Sequence, residues 1–221
     1  MRKVYKYYKL LVYNYKLKVY TKMAKAEKAR NNILKALFKD FLAEHTITSL
    51  SNKINLTRMG IWKALKALEA DKIVILAPIG AGKTSTYSIN LNWENPLLER
   101  TMSVILLEEA MNNQKWISNF VELEEKVSFL ILFGSILNNP KEAKDIDLIA
   151  VLDNKNKFNQ IDEIISKIQK TQAKKIHLID LTKEEFKEEL RKQNKAYIDA
   201  LKKGVILFGQ DNFIDFIRSL K

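Results

Sequence analysis

Apolar and polar positions change their spacing along the chain, and these changes divide the chain into regions. Between residues 24 and 44 apolar side chains recur every three or four positions, which predicts an amphipathic helix. Residues 46–54 and 57–71 predict a second and a third helix, each opened by a capping Thr. Residues 73–91 predict two strands joined by a Gly-rich turn. Three helices followed by a hairpin therefore account for a first domain, residues 23–95.

The pattern changes after Pro96 and again after residue 126. Residues 96–126 keep helical spacing, and we interpret them as helices that connect the domains or support contacts between two copies of the chain. From residue 127 to 221 short apolar runs alternate with helical segments, which predicts a small sheet domain. Strands are predicted at 128–133, 146–152, 174–181 and 205–208, and helices at 157–171 and 182–203. The predicted fold class of the whole chain is α+β.

Charge separates the same two parts of the chain. The net charge is +12, and residues 1–98 hold 18 Lys and Arg against 6 Asp and Glu, whereas residues 99–221 hold 20 of each. A general bias toward Lys would not leave the second part neutral, so the first part is predicted to bind a polyanion. The chain has no cysteine, and its longest apolar runs fall far short of a membrane span. We expect a cytoplasmic protein that has no membrane partner.

Residues 1–22 contain six Tyr and seven Lys or Arg without an acidic residue. Two interpretations stay open for this segment. It is either a basic arm for nucleic acid, or leader sequence translated from a start codon placed ahead of the true one at Met23.

The segment LTRMGIWKALKALEADKIV resembles the recognition helix and first wing strand of the winged helix-turn-helix superfamily. The resemblance implies that residues 23–95 bind duplex DNA, with the third helix in the major groove. It assigns DNA contacts to Arg58, Trp62, Lys63 and Lys66 on that helix and to Lys83 at the wing tip. The alternative is a small helical core with charges that are merely solvated.

Residues 77–84, APIGAGKT, satisfy a loose P-loop pattern. A P-loop leads directly into a helix whose N-terminus binds phosphate. The residues that follow here alternate and are β-branched, which predicts a strand. The segment is therefore interpreted as the tip of a wing, and a P-loop NTPase is kept only as a weak alternative.

Four polar positions carry the chemistry of the second domain. A predicted strand ends at Gly134 and Ser135, and the next one opens with Asp145 and Asp147. Side chains two positions apart on a strand share a face, so the two carboxylates project together. Paired carboxylates repel each other unless a cation lies between them, and oxygen ligands favour Mg²⁺ or Mn²⁺.

A Gly-Ser followed about ten residues later by Asp-x-Asp between apolar strands resembles the nucleotidyltransferase superfamily, and the minimal nucleotidyltransferases of archaea and bacteria most of all. The resemblance covers about residues 115–210 and implies a mixed sheet with a two-metal site. It implies that Asp145 and Asp147 bind metal while Gly134 and Ser135 hold the triphosphate of a nucleoside triphosphate (NTP).

The chain departs from that family at two points. The family commonly has an Arg shortly after Gly-Ser, whereas this loop has none, and Lys141 or Lys144 is the candidate replacement. The family's third carboxylate belongs on the third strand. We expect Asp180 to supply it through a bulge or twist of the strand, with His177, which lies in the natural register, as the alternative.

The sequence thus predicts a Mg²⁺-dependent nucleotidyltransferase that is coupled to DNA binding. Its acceptor is unidentified: a protein hydroxyl, a nucleic-acid end or a small molecule. The alternative is a DNA-binding transcriptional regulator whose nucleotidyltransferase-like domain is inactive and senses nucleotide. A homodimer is compatible with both interpretations.

Overall fold

The computed structural model describes residues 24–80 and 86–221. The chain forms two compact units, Met1–Asn92 and Trp93–Lys221. The segment 1–22 and Lys83, for which roles were predicted above, lie outside the described residues. Within the described ranges, no helix combines the length and the apolar character that a membrane crossing requires.

The first unit contains three helices followed by an antiparallel hairpin. The elements are α1 (24–39), α2 (Ile47–Ile54), α3 (Arg58–Ala70), β1 (Val74–Ile79) and β2 (Thr86–Leu91). Thr46 forms a capping box with Ser49 at the start of α2, and the Thr57 side chain accepts a hydrogen bond from the Gly60 amide at the start of α3. Both predicted Thr caps are therefore present.

Apolar side chains from all three helices and the hairpin form the core of this unit. The fully buried ones include Ile33, Phe38, Leu50, Ile61, Leu65 and Leu68. Helix α1 ends at residue 39, earlier than predicted, so Leu42 lies beyond the helix and is 57% exposed. The element order matches the sequence prediction, whereas the winged helix-turn-helix identity of the unit stays a prediction.

The second unit is built around a four-stranded mixed sheet. Its elements are α4 (Pro96–Met111), α5 (Gln114–Phe120), β3 (Phe129–Phe133), β4 (Asp145–Leu152), α6 (Phe158–Gln169), β5 (Lys175–Thr182), α7 (Lys183–Arg191), α8 (Lys195–Lys203), β6 (Val205–Phe208) and α9 (Gln210–Arg218). The strand order is β5-β4-β3-β6. β3 pairs antiparallel with β4 and β6, and β4 pairs parallel with β5.

Alternating side chains of the strands pack against different helices. One set, which includes Leu130, Leu132, Ile146 and Leu148, forms a core with residues of α5 and α6 such as Phe120 and Ile161. Phe129 belongs to the other set and packs against three aromatic rings of α7 and α9, which are Phe186, Phe213 and Phe216. Their ring centroids lie 5.3–6.2 Å from the centroid of Phe129.

Two features of this unit differ from the sequence prediction. Residues 96–126 are part of the second compact unit, because α4 packs against β6 and α9, and Glu99 forms an ion pair with Arg218. The single helix predicted at 182–203 is two helices. Gln193 adopts φ 55°, which ends α7, and the Asn194 side chain caps α8 by accepting a hydrogen bond from the Ala196 amide.

Candidate active site

The turn after β3 brings Gly134 against the carboxylate of Asp147. Phe133 pairs with Asp147 across β3 and β4, so the chain leaves the sheet beside that side chain. Gly134 has φ 83° and ψ −164°, a conformation that is essentially restricted to glycine. A Cβ at this position would also overlap Oδ2 of Asp147. Both the backbone angle and the contact therefore require glycine here.

Three potential metal ligands meet where β4 and β5 begin. The parallel register pairs Asp147 with His177, and Asp145 lies two positions earlier on the same face. His177 Nδ1 lies 3.4 Å from Asp145 Oδ2 and 3.6 Å from Asp147 Oδ1. One ligand atom from each of the three residues lies within 4.8 Å of the other two. The two carboxylates predicted to share a face thus have an imidazole beside them as a third potential ligand.

The surroundings of Asp147 shift its pKa in both directions. Partial burial raises the pKa of the Asp147 carboxyl above its ordinary value, and the neighbouring charge of Asp145 raises it further. The imidazole of His177 beside it acts in the opposite direction and lowers that pKa. A cation bound between the two carboxylates would relieve their repulsion, so the arrangement favours cation binding.

Asp180, the residue expected to complete the site, is not brought to the carboxylate pair. It pairs with Ala150, three positions along from Asp147, and strand alternation places it on the opposite face from His177. Burial raises the pKa of the Asp180 carboxyl, and Asp162 of α6 and Glu185 of α7 add to the rise. β5 pairs with β4 without a register shift, so no bulge turns Asp180 around. His177, the alternative, occupies the third position.

The predicted phosphate-binding residues lie at the rim of the cluster. Ser135 is exposed and opens a single 3₁₀ turn, Ser135–Leu137, directly after Gly134. Lys144 is exposed and immediately precedes Asp145. Lys175, which was not predicted as a site residue, pairs with Asp145 and lies two positions before His177. The alternation of Lys175 and His177 was the available signal, since it places both side chains on the face of the carboxylates.

In the first unit, the residues predicted to bind DNA differ in exposure. Arg58, Lys63 and Lys66 are exposed on α3. Lys66 forms an ion pair with Glu69 at 2.7 Å and lies over the Trp62 ring at 4.7 Å. Trp62 is half-buried against Tyr87 of β2, with ring centroids 5.5 Å apart. Trp62 thus packs helix against hairpin, which leaves Arg58 and Lys63 as the more available cations.

Strands flank the segment that resembles a P-loop, and its residues 81–84 lie outside the described residues. Its first residues belong to β1, and the chain returns in β2, which pairs with β1 from Ile79 opposite Thr86 to Val74 opposite Leu91. A P-loop instead leads into a helix that meets phosphate with its N-terminus. A strand in that place does not fit a P-loop NTPase.

Comparison with known proteins bears on the second unit. Residues 115–212 match the family model for polymerase beta, nucleotidyltransferase. This segment is a nucleotidyltransferase domain. The match begins in α5, ends in α9 and includes the whole sheet with Gly134, Asp145, Asp147 and His177. No curated protein matches the chain, and neither does any solved structure.

The site of the nucleotidyltransferase domain fits a divalent metal. Such domains generally use one, and here two carboxylates and an imidazole offer ligand atoms close enough to share a single ion. Carboxylates suit Mg²⁺ and Mn²⁺ alike, whereas imidazole is a poor ligand for Mg²⁺ and a better one for Mn²⁺. The donor set therefore accommodates both ions and favours Mn²⁺.

Proposed function

We propose that the nucleotidyltransferase domain transfers a nucleotide from an NTP to an acceptor, with Asp145 and Asp147 as ligands of a Mg²⁺ or Mn²⁺ ion. The observation that supports this proposal is the cluster of two carboxylates and His177, packed against a glycine that admits no side chain. The ion would neutralise charge on the phosphate oxygens of the nucleotide.

In this proposal, different residues of the site bind the triphosphate and the metal ion. Gly134 leaves room for the triphosphate to approach the backbone, and the Ser135 hydroxyl donates a hydrogen bond to it. Lys175, and to a lesser degree Lys144, supplies positive charge that the missing Arg would otherwise provide. His177 completes the metal site in the position where the family has a third acid. This assignment makes transfer faster with Mn²⁺ than with Mg²⁺.

A transfer assay with labelled NTPs tests the proposal, together with the melting temperature measured with and without NTP and metal. A ligand that binds only the native state raises the melting temperature. Asp145→Asn combined with Asp147→Asn should abolish that rise and lower transfer at least about a hundredfold. The matched control is Asp162→Asn, which removes an exposed carboxylate of α6 outside the cluster. An unchanged rise in the double variant would place the nucleotide elsewhere and overturn the proposal.

For the first unit we infer duplex DNA binding by a winged helix-turn-helix domain, with α3 in the major groove. Three helices and a hairpin in the required order support the inference, as do the exposed Arg58 and Lys63 on α3. Residues 1–98 also carry the entire net charge of +12. Binding should weaken steeply with salt, because phosphate contacts release counterions.

A second candidate function is a DNA-binding regulator whose nucleotidyltransferase domain binds nucleotide without transferring it. Two observations favour it: His177 stands where the family has an acid, and the loop of residues 136–144 after Gly134 and Ser135 contains no Arg. NTP binding that depends on Asp145 and Asp147, without transfer to any acceptor under Mg²⁺ or Mn²⁺, would identify this function.

A further inference from the structure

Helix α4 exposes a row of apolar side chains. Its buried face holds Leu98, Met102, Ile105, Leu106 and Ala110. On the other face Leu97, Val104 and Met111 recur every seven residues, and Leu107 adds a fourth side chain three positions after Val104. Their exposed fractions are 49% for Leu97, 57% for Val104, 50% for Leu107 and 49% for Met111. Side chains at this spacing lie along one side of a helix and form a continuous apolar stripe.

The exposed charges beside this stripe have opposite signs at its two ends. Arg100 lies near the N-terminal end and Glu108 near the C-terminal end, and both are exposed. Glu99 is paired with Arg218, but neither Arg100 nor Glu108 has an ion-pair partner within the part of the chain that the structure describes. Arg100 and Glu108 are placed symmetrically in sequence, four residues before and four residues after Val104.

We propose that the α4 stripe binds the α4 stripe of a second copy of the chain, with the two helices antiparallel across a twofold axis at Val104. This alignment overlaps the apolar stripe along its full length, with Leu97 opposite Met111 of the partner helix and Val104 opposite its own copy. It also places each Arg100 opposite the partner's Glu108. A parallel arrangement would instead set Arg100 against Arg100 and Glu108 against Glu108, and would align the helix dipoles unfavourably.

Such an interface is isologous, which means that one patch on each copy supplies both of its halves. Apolar contact provides the attraction, and the Arg100–Glu108 pairs fix the direction. The interface lies on α4, away from Asp145, Asp147 and His177, so variants of the stripe leave the site of the proposed function unaltered. Failure of the dimer and failure of nucleotidyl transfer are therefore separable.

Sedimentation equilibrium of the full chain tests the proposal. The wild type should be a dimer, and Val104→Asp should raise the dimer dissociation constant on the order of a hundredfold, because two carboxylates would meet on the axis. Since Val104 is more than half exposed, the melting temperature of the dilute monomer should stay close to that of the wild type. A wild type that remains monomeric at high concentration would overturn the proposal. This holds also if the chain is monomeric because another part of the same chain covers the stripe.

Charge reversal tests the direction of the two helices. Arg100→Glu and Glu108→Arg should each raise the dissociation constant about tenfold, and the two changes together should restore it. Restoration is specific to the antiparallel alignment. Single reversals without effect, or a double variant weaker than either single one, would contradict it.

A cysteine on the twofold axis gives an independent readout. The chain has no cysteine, so Val104→Cys introduces a single thiol that meets its own copy across the axis. Oxidation should yield a covalent dimer in high proportion. Ser166→Cys, which places one exposed thiol on α6, is the matched control and should remain largely uncoupled. Equal coupling of both variants would show that collision, rather than a defined interface, joins the chains.

Discussion

The two compact units hold their candidate functional side chains in different ways. In Trp93–Lys221 the cluster of Asp145, Asp147 and His177 is fixed by two paired strands and backed by Gly134. In Met1–Asn92 the candidate residues Arg58 and Lys63 extend from one helix into solvent. The first arrangement holds three potential ligand atoms within 4.8 Å of one another, whereas the second supplies positive charge over a surface.

This difference sets how each unit should respond to change. A preorganised site loses its function when one atom is misplaced, because its ligands act together on one small group. A charged surface loses affinity in steps, since each Lys or Arg contributes one counterion to the salt dependence. Substitutions in each unit test this contrast.

Gly134→Ala should have the largest effect. The new Cβ would overlap the Asp147 carboxylate and would sit at φ 83°, so Asp147 must leave its position. Transfer should fall at least about a hundredfold in the labelled-NTP assay.

Gly80→Ala is the matched control for this change. Gly80 has nearly the same angle, φ 86°, but a Cβ there has open space around it. It should cost about 1 kcal/mol of unfolding free energy from the backbone angle alone and leave transfer unchanged. If Gly134→Ala behaves like Gly80→Ala, the contact with Asp147 has no functional role.

His177→Ala should lower transfer by about tenfold or more, and His177→Asp should restore transfer with Mg²⁺, because a carboxylate is the better ligand for that ion. The wild type should be faster with Mn²⁺ than with Mg²⁺, and His177→Asp should reverse that preference. The measurement is initial transfer rate against the concentration of each metal.

Asp180→Asn provides the comparison for His177, since Asp180 lies on the opposite face of the strand. It should leave the metal preference unchanged. Loss of transfer in Asp180→Asn, with His177→Ala fully active, would mean that the register observed between β4 and β5 does not describe the working site.

Arg58→Ala and Lys63→Ala should each weaken binding of the full chain to duplex DNA and reduce the salt slope by about one. Lys66→Ala should have less effect, because Lys66 is engaged with Glu69 and the Trp62 ring. Fluorescence anisotropy at several salt concentrations measures both quantities.

Lys167→Ala removes the same charge from α6 of the second unit and serves as the control for DNA binding. Its binding curve should coincide with that of the wild type. If all four variants lose affinity equally, the DNA is held by net charge alone and α3 has no special place in the interface.

The smallest effect should come from Glu185→Gln. Glu185 accepts hydrogen bonds from the Thr182 amide and hydroxyl and pairs with Lys155 at 2.6 Å. The hydrogen bond from Lys155, followed by those from Thr182, lowers the pKa of Glu185 from 4.5 to about 2. A lowered pKa stabilises the fold above the ordinary pKa, and this contribution is lost as pH falls toward the folded value. The variant should melt slightly below the wild type at pH 7, and the difference should narrow below about pH 4.5. A constant difference would show that Glu185 acts through its shape rather than its charge.

Local sequence patterns predicted those helices and strands of this protein that depend on residues close to one another in the sequence. The helices of the first unit followed from apolar spacing and from the caps at Thr46 and Thr57. Strands β3 and β4 followed from apolar runs, and Asp145 and Asp147 share a face because alternation demands it. Registers between distant strands are less accessible, since a shift of one residue reverses every side chain. For that reason only the pairing of β4 with β5 shows that His177, and not Asp180, lies beside the two carboxylates.

Two other features, the packing of α4 and the end of α7, could not be predicted from local sequence patterns. Helix α4 was interpreted as a connector because nothing near it in sequence indicates that β6 and α9 will cover it. The break at Gln193 was missed because Gln is uncommon at positive φ and apolar spacing continues through it.

Helix α4 has a consequence for synthesis on the ribosome. Its inner face is covered by β6 and α9, which begin at Val205 and Gln210, about a hundred residues later in the chain. At about 5–20 residues per second, translation would leave that face uncovered for at least several seconds after α4 emerges. During this interval α4 is apolar on both sides and offers a binding surface to chaperones or to neighbouring nascent chains. Neighbouring nascent chains on one messenger would then have their α4 helices exposed at the same time, and subunit pairing could begin before either chain is complete.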